Sequence, residues 1–369
     1  MLKLITFNVF AIKAYPFDLL EIKKCKFTHV FSNKSDNKFI LKKQTFKKVW
    51  NIGKLYSSFL ISRLLKTSIT WGKPSSISIE PTTACNLGCP ECPSGLKQFT
   101  RSTGNLKFDL NKKIIDELGT YLSFINFYFQ GEPFINPDFL KLVNYASDSG
   151  IYTGTSTNAH FITEEVAKKT IESGLDRLII SIDGTTQEVY EQYRIHGTLE
   201  KVLEGTKNMV KWKKELKSST PHLIFQFLVV KPNEHQIKDA IQLAEEMGVD
   251  EIKFKTAQVY NFKDGNPLIP EQEEYSRYKK KKDGTYILKN KMSNHCWRMW
   301  SGCVITWDGK IVPCCFDKDA SHQLGSISEQ TFSSIWKSNH YKQFRKSVLL
   351  DRKEIDICKN CSEGSKVWT

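Results

Sequence analysis

Cys85, Cys89 and Cys92 share one short stretch, ACNLGCPECPSG, with the spacing C-x-x-x-C-x-x-C. Three thiolates are one fewer than a closed tetrahedral metal site requires. A zinc site would need a fourth ligand, or a water if catalytic, and the loop contains no His. An iron–sulfur cube differs, because Cys can hold three of its irons while the fourth stays open to an outside ligand. A cube closed by four Cys only shuttles electrons. An open iron of that kind can hold a small molecule in place while an electron passes into it.

Of the ten cysteines, six more lie at Cys296, Cys303, Cys314, Cys315, Cys358 and Cys361, and the last is Cys25. Cysteines grouped this way suggest metal ligation in a reducing compartment rather than a disulfide framework, so a cytoplasmic location is expected. The start, MLKLITFNVFAIKAYPF, has its apolar stretch interrupted by Asn8 and Lys13 and no clear cleavage site, so a secretion signal is not expected. No apolar run reaches the length of a spanning helix. Residues 1–70 carry 14 Lys and Arg against 3 acids, which is +11 of the total +14. The body is thus no basic nucleic-acid platform, and the basic head alone suits an anionic surface.

The elements that must position the cysteines alternate from residue 76. Strands are expected at 76–80, 125–130, 152–157, 176–183, 222–230 and 251–256. Helices fall between them at 110–122, 137–150, 163–174, 199–216 and 234–248. Such alternation predicts an α/β fold with a parallel sheet, either open and doubly wound or a partial barrel. Both place chemistry at the carboxyl ends of the strands. The cysteine loop, Gln130–Glu132, Thr157–Asn158 and Ser181–Gly184 all follow strands, and so converge on one face. Past residue 260 comes a polar, Lys-rich arm, then a hairpin at 304–312 turning at Asp308–Gly309, a helix at 328–349 and the closing CKNC. Residues 46–66 read as an amphipathic helix bearing Phe46, Val49, Trp50, Leu55, Phe59, Leu60 and Leu64 among basic residues. Packing of its apolar side on the barrel is favoured over contact with a membrane surface.

The three-cysteine spacing after the first strand, Gly131-Glu132-Pro133 after the second and Ser181-Ile182-Asp183-Gly184 after the fourth resemble the radical S-adenosylmethionine superfamily over residues 72–260. The resemblance implies a partial (β/α)6 TIM-like barrel. It also implies that S-adenosylmethionine chelates the open iron, with Gly131, Glu132 and Pro133 near its amino group. Asn158 and Ser181 would meet its ribose or carboxylate, and Arg194 its methionine carboxylate. Glu132 equally suits a cap on the next helix, and Arg194 a surface position. The pattern departs from the family at Glu91, where an aromatic residue often packs on adenine, and at Gln130, where a first glycine is frequent.

Residues 292–364 resemble the SPASM/twitch extension of these enzymes, which carries auxiliary [4Fe–4S] clusters. Six cysteines suffice for one closed cluster and not for two. The chosen ligands are Cys296, Cys314, Cys358 and Cys361, with Cys315 an alternative to Cys314 and Cys303 a buried thiol. Asp317 and Asp319 beside them are either solvated acids or a source of a catalytic base. The expected organisation is a basic N-terminal extension (1–71), a barrel (72–260), an arm (261–291) and an auxiliary-cluster domain (292–369). The expected function is radical abstraction of hydrogen from a small-molecule or peptide substrate, with a reductant such as flavodoxin or ferredoxin. Net oxidation is preferred, because the second cluster is closed, over a peptide-modifying maturase. The reading from another class is a non-catalytic iron–sulfur or zinc protein that binds a partner.

Overall fold

The computed structural model describes residues 35–364. Cys25 and the secretion-signal reading fall on residues 1–34 and lie outside the described residues. Six parallel strands, β1 (Ser76–Ile79), β2 (Phe124–Asn126), β3 (Tyr152–Thr157), β4 (Arg177–Ser181), β5 (His222–Val229) and β6 (Glu251–Thr256), pair in sequence order. Helices cross between them at Phe108–Leu118, Phe139–Asp148, Glu164–Glu172, Leu199–Glu215 and Ile237–Met247. The result is a partial (β/α)6 barrel. The main apolar core fills the space between sheet and helices with Ile77, Ile79, Ile125, Leu178, Ile180, Phe225 and Phe227. Side chains alternate across a strand, so Ser78, Ser181, Gln226 and Lys255 face the opposite, concave side. That side mixes these polar residues with Ile179, Ile224 and Leu228, which suits a ligand rather than a purely apolar core.

The sheet does not stop at β1. The strand Gly302–Ile305 adds to its free edge in parallel, with Ile77 opposite Cys303, and the hairpin strand Lys310–Val312 and the short Gly325–Ser326 follow. The C-terminal region is therefore a continuation of the barrel sheet. The expected helix over 328–349 is two helices, Phe332–Lys337 and Asn339–Asp351. Ser338 divides them: its backbone is extended and its hydroxyl accepts the Tyr341 N–H at 3.1 Å, the arrangement of an N-cap. The strand expected over 125–130 ends at Asn126. Gly131, at φ +74, turns the chain beyond it toward the cysteine loop.

Two helices precede the barrel. α1 (Ser35–Lys42) lies at the amino ends of the strands, where Asp36 bonds Tyr152 and Arg177, and just beyond it Lys43 pairs with Asp176 at 2.6 Å. α2 (Phe46–Leu65) does pack, but not by the side expected. Leu55 and Phe59 are buried, and Phe59 meets Trp297 and Trp300 with ring centroids 5.3 and 5.1 Å apart. The partner is thus the segment beside Cys296. The rest of the buried face is Lys48, Asn51, Ser58 and Ser62, satisfied by hydrogen bonds such as the Asn51 pair with the Lys73 backbone. Phe46, Trp50 and Leu64 remain exposed, at 84, 62 and 81%. Among the described residues no helix is long and apolar enough to cross a membrane.

Candidate active site

The loop after β1 is shaped by glycine and by hydrogen bonds from three other strand ends. A Cβ on Gly131 would stand 2.4 Å from the Thr82 carbonyl oxygen and 2.8 Å from that of Ala84, so only glycine lets the two turns touch. Gly131 N–H donates to Ser94 Oγ at 2.9 Å, and Glu132 N–H to the Ala84 carbonyl at 2.7 Å. Pro133 opens the short 3-10 turn Pro133–Ile135. Cys89 is buried and Cys85 and Cys92 partly so, within an apolar group that includes Leu87, Tyr193 and Leu228. Burial, with Glu132 and the neighbouring thiols, pushes the Cys85 thiol up to about 12. Thiols held this close resist ionising together, and a bound cation reverses that by taking them as thiolates.

The other predicted residues gather around this loop. The Glu132 carboxylate accepts Thr157 Oγ1 and the Asn158 N–H, each at 2.7 Å, and the Phe134 N–H at 3.3 Å. It caps the next turn and ties β3 to the cysteine loop; burial raises its pKa to about 7. Asn158 Nδ2 donates to Asn86 Oδ1 at 2.8 Å. Ser181 ends β4, buried, with its hydroxyl unclaimed by any described residue. Arg194 is not a surface residue. Its Nε bonds Asp183 at 2.5 Å and its Nη1 stands 3.6 Å from Cys89 Sγ. Burial works against that charge, but Asp183, Cys89 and Tyr190 hold the guanidinium protonated well above its ordinary range. Glu91 turns away to accept the Tyr260 N–H at 3.0 Å.

The second group is equally assembled. Cys296, Cys314, Cys358 and Cys361 line one cavity with Arg298, Arg352 and Glu363, and Cys315 is not among its walls. Arg352 donates to Cys361 Sγ at 3.3 Å and to the Glu363 and His295 carbonyls. Cys315 faces elsewhere, with Arg298 Nη1 at 3.8 Å and Lys255 nearby. Cys303 sits in its strand under Arg345, buried and pushed up to about 12. The Asp317 carboxylate is occupied by the Ser321 and His322 N–H groups at 2.8 and 3.0 Å, a brace for its own turn. Asp319 binds Thr100, and Arg101 forks onto Glu80 at 2.8 and 2.6 Å while Glu80 also takes the Trp307 N–H. These contacts fix the two cysteine groups relative to one another. Among the described residues no three His, Cys, Asp or Glu side chains close on a single ion.

Residues 79–244 match the Radical SAM superfamily, and residues 296–362 match the SPASM iron-sulfur cluster-binding domain. The chain belongs to the radical S-adenosylmethionine superfamily. It is a radical SAM enzyme with a SPASM domain, and its cofactors are S-adenosylmethionine, a [4Fe–4S] cluster and an auxiliary iron–sulfur cluster. It is similar to the tungsten-containing aldehyde ferredoxin oxidoreductase cofactor-modifying protein of Pyrococcus furiosus, at 28% identity over 77% of this chain and 86% of that protein. The PqqA peptide cyclase of Bradyrhizobium diazoefficiens is 27% identical over 76% of this chain and 75% of its own. The fold is similar to that of Streptococcus suis SuiB bound to S-adenosylmethionine, with a TM-score of 0.58 at 14% identity, over 77% of this chain and 70% of that one.

Sequence reasoning named Asp183 only as part of its motif, without its bond to Arg194, and passed over three residues that lie beside the thiols or on the concave face. Lys255 was legible as a cation on the inward-facing set of E-I-K-F-K-T. Arg298 and Arg352 carried no signal, because an arginine beside a thiol is visible only once the chain has folded.

Proposed function

We propose that this radical SAM enzyme carries out a net oxidation at the concave face of its barrel. In this reading Cys85, Cys89 and Cys92 hold the first cluster by three irons. Cys296, Cys314, Cys358 and Cys361 close the auxiliary one. When bound, the cofactors supply a 5′-deoxyadenosyl radical that removes a hydrogen atom from a C–H bond, and an acceptor for the electron that remains. The single observation that carries the reading is the second cavity, walled by four thiols with no ligand position left for substrate.

The chain's own residues divide the rest of the work. Gly131 and Pro133 shape the backbone against which the amino group of S-adenosylmethionine is held. Ser181 offers a free hydroxyl, and Asn158 is fixed by Glu132 and Asn86 to meet the ribose or carboxylate. Arg194, locked by Asp183, keeps a positive charge beside Cys89 and toward the methionine carboxylate. Buried Leu87, Tyr193 and Val230 keep water from the same place.

The similarity to a peptide cyclase supports a peptide as the substrate. The test is anaerobic reconstitution with iron and sulfide, followed by S-adenosylmethionine and dithionite. About eight irons per chain and release of 5′-deoxyadenosine are expected, and the C85A/C89A/C92A variant should keep about half the iron and release none. Stoichiometric zinc without iron uptake would refute the assignment.

A further inference from the structure

Lys255 ends β6 on the concave side, partly buried, and its ammonium makes no hydrogen bond or ion pair with any described residue. Arg277 lies near it, with Nε and Nη1 both buried and without partners. Lys318 is the third cation, its Nζ 4.8 Å from the centre of the Tyr260 ring. Phe254 meets Tyr275 with ring centroids 6.0 Å apart, which brings β6 to the segment bearing Arg277; Leu228, opposite Lys255, packs with the first cysteine loop, and Glu91 of that loop holds Tyr260, whose ring lies under Lys318. Burial pushes the Lys255 pKa down, Glu363 works against that, and Arg277 and Lys318 add to it. Of the carboxylates beside them, Glu363 is already paired with Arg298 at 2.5 Å and Glu91 accepts the Tyr260 N–H.

A part-buried surplus of positive charge is costly unless an anion completes it. Arg298 and Arg352 both line the auxiliary cavity and belong to it, whereas Lys255, Arg277 and Lys318 are not among its walls, and the sulfur near Lys255 belongs to Cys315, which lies outside it. We propose that Lys255, Arg277 and Lys318 form a substrate subsite for an anionic oxo group, a carboxylate or a phosphate, between the two cysteine groups. This rests on the concave face being the substrate site, and it narrows the substrate to one bearing such a group near the C–H bond that reacts.

The experiment uses the full chain, anaerobically reconstituted and saturated with S-adenosylmethionine so that the methionine carboxylate site is filled. Calorimetry follows binding of inorganic phosphate and, separately, glutarate, with chloride at the same ionic strength as reference. Saturable binding of at least one is expected, and the tighter of the two identifies the group. Lys255→Gln and Arg277→Gln should each weaken it about tenfold or more, Lys255→Arg should largely retain it, and the exposed control Lys169→Gln should not alter it. Binding no stronger than that of chloride, or binding indifferent to both Gln variants, overturns the proposal. So does a Lys255→Gln variant that shifts the auxiliary-cluster potential while its anion binding is intact, since the cations would then serve the cluster. Wild-type protein that binds the anion but releases no 5′-deoxyadenosine refutes the proposed reaction and not this subsite. Release without anion binding refutes the subsite and not the reaction.

Discussion

Gly131 and Gly150 share a backbone conformation, φ +74 and +71, but not a neighbourhood. A Cβ on Gly131 would meet the carbonyl oxygens of Thr82 and Ala84 at 2.4 and 2.8 Å, whereas nothing lies within 4 Å of one on Gly150. Gly150→Ala therefore tests the dihedral alone. The left-handed conformation costs an L-residue about 1–2 kcal/mol, offset in part by lost freedom in the unfolded chain, so a net loss of about 1 kcal/mol is expected. Gly131→Ala adds an overlap with backbone that no side-chain rotation relieves, roughly 1–3 kcal/mol more.

Thermal unfolding should then show Gly131→Ala losing about two to four times as much as Gly150→Ala. The functional readout separates the two further. The Gly131 and Glu132 N–H groups bond Ser94 and Ala84, so displacing them moves the cysteine loop itself. Affinity for S-adenosylmethionine in the reconstituted enzyme should fall at least about tenfold in Gly131→Ala and hold in Gly150→Ala. Equal destabilisation by the two variants, or undiminished affinity in Gly131→Ala, would refute the close approach as the reason for this glycine.

Cys314→Ala should lose the auxiliary cluster, about half of the iron by colorimetric assay, while Cys315→Ala keeps it. Lys48 is buried under Gly150, and burial, then the charge of Lys43, pushes its pKa down to about 8. Below about pH 8 the folded chain bears the full cost of that charge. From about 8 to the ordinary 10.5 the folded chain binds fewer protons than the unfolded one, so wild-type stability relative to Lys48→Met should rise with pH there and stay flat below. Phe59→Ala should cost about 3–5 kcal/mol in denaturant unfolding and Trp50→Ala within about 0.5, because only Phe59 is enclosed by Trp297 and Trp300.

The barrel was legible because its signals are local. β3 and β6 fall where the alternating pattern puts them, and Thr163 caps its helix by accepting the Val166 N–H. The three-cysteine loop was legible because ligand spacing within one turn survives in the sequence. What the chain did not announce depends on distant partners. α1 is short and its Asp36 is explained only by Arg177 and Tyr152, more than a hundred residues away. The buried side of α2 could not be told from its apolar side, since Lys48, Asn51, Ser58 and Ser62 are buried through backbone hydrogen bonds that hydrophobicity does not weigh. The Glu132 side chain accepts three hydrogen bonds that cap its own turn and anchor β3, and the partners on β3 are the part a sequence does not announce.

The placement of the second cysteine group follows from the way the sheet ends. Nine strands leave two edges, β6 and Gly325–Ser326, and the strand Gly302–Ile305 grows from β1 rather than from β6. Yet Asn360, between Cys358 and Cys361, donates to the Val259 carbonyl at 2.7 Å, just past β6, and accepts at 3.0 Å the hydroxyl of Tyr278, which itself bonds that carbonyl from the arm. The chain thus leaves the sheet on one side and returns to the other, which sets the auxiliary cysteines against the open flank of the barrel. A substrate held at the concave face is then bounded by the first cysteine loop at the strand ends and by Cys315, Arg298 and Lys255 on that flank. Loss of the Asn360 contacts by Asn360→Ala should loosen this boundary without touching any thiol. Iron content should therefore stay at wild-type level while hydrogen exchange rises in residues 257–260. Iron loss in that variant would instead mean that Asn360 acts on the cysteines themselves.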